Sequence, residues 1–66
     1  MEIGQKCKIN NDERVYKVTN SWKEKRIIEN TENSVEYEIE IFVALEEIDN
    51  SENTKAKVST TKVYTV

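Results

Sequence analysis

From Val35 to Leu45 the odd positions read Val, Tyr, Ile, Ile, Val, Leu, and the even ones begin Glu36, Glu38, Glu40. Strict alternation marks a strand with one face toward a core and one toward water, because successive side chains point to opposite faces. At Phe42 the alternation stops, and Ile41 to Leu45 is apolar on both faces. The pattern predicts a strand half-wet at its start and dry all round at its middle, as where a strand leaves one sheet surface for another. Val, Ile, Tyr and Phe dominate it, and all favour pleated surfaces.

Shorter alternations flank this stretch. Lys6-Cys7-Lys8-Ile9 predicts a first strand with Cys7 and Ile9 inward. After a turn at Asn10 to Glu13, Arg14 to Thr19 predicts a second, with Tyr16 and Val18 on one face. Between Thr19 and Asn30 the signals divide. Asn20-Ser21 as a two-residue hairpin would fold the chain back and set Lys17 across from Glu24. Ser21-x-x-Glu24 as a capping box would instead open one short helix near residues 22–29. Trp22, Ile27 and Ile28 make a poor helical stripe, so strand is the preferred expectation and the helix its variant. Polar turns at Asn30 to Ser34 and Asp49 to Asn53 bracket the central strand. In the last run, Thr54 to Val66, parity switches between Val58 and Val63, which predicts a bulge at Thr60-Thr61. The expected fold is all-β: one domain, residues 1–66, a small antiparallel sheet of four or five strands, barrel-like or strongly bent, SH3-like or OB-like in kind.

Composition narrows the chemistry. A chain of 66 residues buries only about 60% of the surface it exposes when unfolded, and with a single cysteine it has no disulfide to compensate. Stability then has to come from packing, a partner subunit or a ligand. The lone Cys7 suits a reducing interior. Met1 to Gly4 lacks the basic and apolar regions of a signal peptide, and no apolar run approaches the roughly 20 residues of a membrane helix. The expectation is a cytoplasmic protein that makes no membrane contact. Abundant Asn, Lys, Glu and Ile suit an AT-rich genome, that of a low-GC bacterium or its phages and plasmids.

Histidine is absent, which removes the Ser-His-Asp and Cys-His nucleophile pairs, the usual zinc sets and the commonest general base. Lys6 and Lys8 are neighbours that would activate Cys7, but alternation sends them to the opposite face and leaves a packed, inert thiol. Asp49, Ser51 and Asn53 are spaced like the start of an EF-hand loop. Lys55 replaces a ligand there, the central glycine is missing, and Thr60 stands where the closing glutamate belongs. No catalysis, no cofactor and no metal are expected.

Charge is segregated. Residues 1–26 carry a net +3, residues 27–52 carry nine acids and no base, and residues 53–66 carry +3, giving −3 in all. The plain explanation is cross-strand pairing, with an acidic strand flanked by basic ones at roughly 0.2–1 kcal/mol per pair. The sharper one is that Glu36, Glu38 and Glu40, continued by Glu46, Glu47 and Asp49, form a negative ridge for a protein partner. Same-face residues recur every 6.6–6.8 Å, close to the spacing of successive phosphates along a nucleic-acid strand. Such a ridge would occupy a basic groove, as small acidic phage inhibitors do, and its field would steer association. A competing expectation is a nucleic-acid-binding barrel, in which Tyr16, Lys17, Trp22, Lys23, Lys25 and Arg26 combine stacking with backbone charge. Overall acidity opposes it, and a lone Trp is commonly a packing residue. A third expectation is a self-associating subunit that pairs through an open edge at Val63-Tyr64-Thr65-Val66.

Overall fold

The N-terminal residues fold back before the first strand begins. The amide of Gln5 donates to the carbonyl of Glu2 at 3.1 Å, and Gly4 takes a φ of 89°, the positive value that the third residue of a type II turn requires. The turn is docked on the second strand: the Gly4 amide donates to the Val18 carbonyl at 2.7 Å, and the Val18 amide donates to the Gln5 carbonyl at 3.0 Å. Asn11, at φ 65°, makes the next reversal in the left-handed region that asparagine tolerates.

The computed structural model describes residues 1–66. Strands β1 (Lys6–Ile9), β2 (Tyr16–Asn30), β3 (Val35–Glu47), β4 (Asn50–Ser59) and β5 (Val63–Thr65) form one antiparallel sheet, with a 3-10 turn (Thr60–Lys62) between the last two. The spatial order is β4-β3-β2-β1-β5, so the last strand returns to the first, and the sheet is not closed into a barrel. No helix of the protein is long and apolar enough to cross a membrane.

Several local expectations need correcting. Residues 22–29 form neither a helix nor the return arm of a hairpin at Asn20-Ser21; they continue β2 without a break. Fifteen residues of strand are sustained because β3 offers a long apolar partner, and tertiary pairing outweighs the helix propensity of Lys23 to Arg26. Lys17 consequently lies across from Glu46, not Glu24, at 3.2 Å. The turn after β3 is only Ile48-Asp49, because Asn50 already pairs with Glu47. Thr60-Thr61 begins a 3-10 turn, not a bulge, and Ser59 caps it by accepting from the Thr61 amide at 3.3 Å.

Pairing is irregular instead within β4, between Lys55 and Val58 and between Asn50 and Thr54, and within β2. Thr19 is an extra residue between the Val18–Leu45 and Asn20–Ala44 pairs, and Ile28 is another between Ile27–Tyr37 and Glu29–Glu36. Each reverses the parity of the residues beyond it, since side chains alternate with period two.

The core consists of Cys7, Tyr16, Val18, Val43, Leu45 and Val63, with Met1, Ile9 and Val58 packed at its margin. Phe42 and Ala44, expected to be dry, are half-buried on the outer face. The larger departure lies further out. Val35, Tyr37, Ile39 and Ile41 share the parity of Val43 and Leu45, yet no element covers them, and Ile39 is 60% exposed. Residues 23–41 therefore project from the body as a two-stranded arm. The molecule measures 51 × 20 × 18 Å, and its radius of gyration is 14.7 Å, against about 11 Å for a compact chain of this length.

Tyr16 ties the core to the turn that follows β1. Its buried hydroxyl donates to Asp12 Oδ2 at 2.8 Å, and Asp12 Oδ1 accepts from the Arg14 amide at 2.9 Å. Those two bonds, the backbone one first, hold the Asp12 carboxyl below its ordinary value, while burial and then Asp12 push the Tyr16 phenol up. A depressed carboxylate contributes stability above its unfolded pKa of about 3.9 and loses it as pH falls through the folded value. Asp12→Asn is therefore expected to lower the urea midpoint at pH 7, with the gap to wild type closing as pH drops below about 4. A gap that does not change with pH would remove the carboxylate from this role.

Candidate functional site

The arm has two unlike faces, and the Thr19 bulge sets which residues share each. On the face continuous with the core, Ile41 lies across from Lys23, Ile39 from Lys25, Tyr37 from Ile27 and Val35 from Asn30. Lys25 reaches over the Tyr37 ring, its Nζ 3.9 Å from the centroid, so its stem and charge shelter part of this row. On the opposite face Phe42 lies across from Trp22, Glu40 from Glu24, Glu38 from Arg26 and Glu36 from Glu29.

The expected acidic residues divide by geometry. Glu36, Glu38 and Glu40 form a row on one face, and Glu46 continues its parity along β3 beyond Phe42 and Ala44. Glu47 has the other parity and accepts from Asn53 Nδ2 at 2.9 Å. Asp49 sits in the exposed turn. Neutralisation is partial: Arg26 pairs with Glu38 and Lys17 with Glu46, while Glu40 accepts a hydrogen bond from the Ser59 hydroxyl at 2.8 Å. Two cross-strand positions, Glu24–Glu40 and Glu29–Glu36, place carboxylates directly opposite one another, which disfavours the hairpin.

The six residues of the nucleic-acid expectation do not share a surface. Tyr16 is buried in the core, and Lys17 is held by Glu46. Lys23 and Lys25 lie on the apolar face of the arm, whereas Trp22 and Arg26 lie on the acidic one. Trp22 is half-buried there and stacks on Phe42, with ring centroids 6.2 Å apart and planes at 26°. Its indole N–H donates to Glu24 at 2.8 Å, and Lys57 Nζ lies 2.9 Å from the same carboxylate and 4.3 Å from the Phe42 centroid. The indole first, and then Lys57, hold the Glu24 carboxyl below its ordinary value. Sequence reasoning misses this cluster, which is set where the arm leaves the body. Its only signal in the chain is Phe42, which interrupts the glutamate parity.

No three His, Cys, Asp or Glu side chains come together as a metal set. Cys7 is buried, and burial pushes its thiol pKa up, away from the reactive thiolate. Comparison with protein-family models, with curated proteins and with solved structures finds no match to this chain.

Proposed function

We propose that this chain is a non-enzymatic binding module, an SH3-like small β domain of the reducing cytoplasm, that presents the acidic face of its arm to a basic protein surface. The strand order, with β5 returning to β1 after a 3-10 turn, supports the SH3-like reading. The acidic reading is carried by the like-charge pair Glu29–Glu36, which has no basic partner; Glu24, across from Glu40, is already met by Lys57. A hairpin selected only to fold would place a lysine in that cross-strand pair. Carboxylates confronting each other on a projecting ribbon are relieved when a cationic groove closes over them. Such a partner is a protein whose basic groove ordinarily takes nucleic acid, which makes inhibition by occupancy the consequence of binding.

Changing Glu36, Glu38 and Glu40 together to lysine tests this. The variant is expected to keep its far-ultraviolet circular dichroism spectrum, because all three side chains lie outside the core. It is expected to lose the proteins that the wild type retains from a lysate of source cells. Retention by the wild type should also vanish at about 1 M salt, where the screening length is about 3 Å. Prey that survives the triple change sinks the acidic-face reading. A mobility shift with single-stranded DNA, abolished by Lys23→Glu with Arg26→Glu, would transfer the function to nucleic acid.

A further inference from the structure

The face of the arm opposite the glutamates is covered by no other element, only in part by Lys25 of its own β2. Ile27, Val35, Tyr37, Ile39 and Ile41 form a continuous row that extends the core parity into solvent. These side chains leave bare on the order of 500 Å², the upper range for the largest patch on a monomer. A two-stranded ribbon by itself is marginal in water. From the row and its charged ends we infer that a second copy of this chain covers the arm, with the two apolar faces packed together and the arms antiparallel about a twofold axis.

Area is compatible with a copy as occupant: two such faces bury at most about 1,000 Å² together, the lower bound for a specific interface. Charge sets the direction. Lys23 and Lys25 stand toward the body on this face, while the turn at the tip carries Glu32 and no base; Glu29 faces the other side with Glu36. Antiparallel arms lay the lysine end of one copy over the acidic tip of the other; parallel arms would set like charges together.

The alternative, edge-to-edge pairing of arms through β3, is opposed by its glutamates. The outer edge of β3 between Val35 and Ile41 is free. Twofold pairing there sets Glu36 beside Glu40 and Glu38 beside its own copy, and a one-residue slip sets each glutamate against an isoleucine, a valine or a tyrosine. Face packing leaves both glutamate rows outward, so this inference goes beyond the acidic-face reading and does not depend on it.

Sedimentation velocity from about 1 to 500 μM is the test. The wild type is expected to pass from the 7.7 kDa monomer to a dimer of twice that mass, with a dissociation constant on the order of micromolar, as suits so small an interface. Ile39→Lys is expected to weaken association at least about 100-fold while leaving the circular dichroism spectrum unchanged. Lys23→Glu and Glu32→Lys should each weaken it, and the double swap should restore it by re-forming both contacts. A wild type that stays monomeric to 500 μM overturns the inference and assigns the face to another occupant. A dimer indifferent to Ile39→Lys also overturns it and directs attention to the β5 edge at Tyr64. If Ile39→Lys unfolds the chain, the charge swaps decide: restoration supports the antiparallel pair, and its failure refutes it.

Discussion

Leu45→Ala is expected to unfold the protein at 25 °C in dilute solution. Leu45 is 1% exposed, faces Val18 across β2, and stands between Tyr16 and Val43 in a core of six buried residues. Truncating a buried leucine removes its transfer free energy and leaves a cavity, together about 2–5 kcal/mol. A domain this small rarely holds more than about 3–5 kcal/mol. Loss of the sigmoidal urea transition, followed by Trp22 fluorescence, is the expected reading. Ile39→Ala removes a side chain of similar size and should leave the transition within about 0.5 kcal/mol of wild type, as surface changes do, provided the protein is held below the concentration at which copies associate. If the two variants behave alike, the division into body and arm is wrong.

Hydrogen exchange should draw the same boundary on the backbone. Amides of residues 16–18 and 43–45 open only with global unfolding, whereas those of residues 23–30 and 35–41 belong to a ribbon with no third strand and no covered face. With a local opening free energy near 1 kcal/mol, against about 4 for the body, arm amides exchange roughly 100-fold faster in dilute protein. Raising the concentration should protect the arm and leave the body unchanged. Uniform protection at low concentration would mean that the hairpin carries its own stability.

The alternation in residues 35–45 identifies the longest run of apolar strand and the side on which its glutamates stand, because period two depends on backbone geometry alone. It cannot reveal that half of the apolar side has nothing against it. Val35 and Val43 have the same parity and the same residue type, and what decides which of them is buried is that β1 and β5 are short and β4 pairs with β3 no further than Phe42. The stretch from Asn20 to Arg26 is ambiguous for a related reason. Its lysines and Glu24 favour a helix locally, and its strand conformation is imposed by partners twelve to twenty-four residues away. Lys17 shows how far such an error propagates: a hairpin at Asn20-Ser21 would give it Glu24, and a continuous β2 gives it Glu46.

The six side chains gathered for nucleic acid are close in sequence but not in space. Adjacent strand residues face opposite ways, and the extra residue at Thr19 decides which way each one faces. Cys7, in contrast, is legible as inward, since a four-residue alternation next to a turn leaves little else to choose.

That inserted threonine has a consequence for how the molecule tolerates change. Like a half-twist in a tape, it decides which margin every later position of β2 belongs to. Removing its codon would carry Trp22, Glu24 and Arg26 to the oily side and bring the lysines among the carboxylates, all without altering a single other letter. The chain should accept exchanges of residue along this strand far more readily than any change in its length.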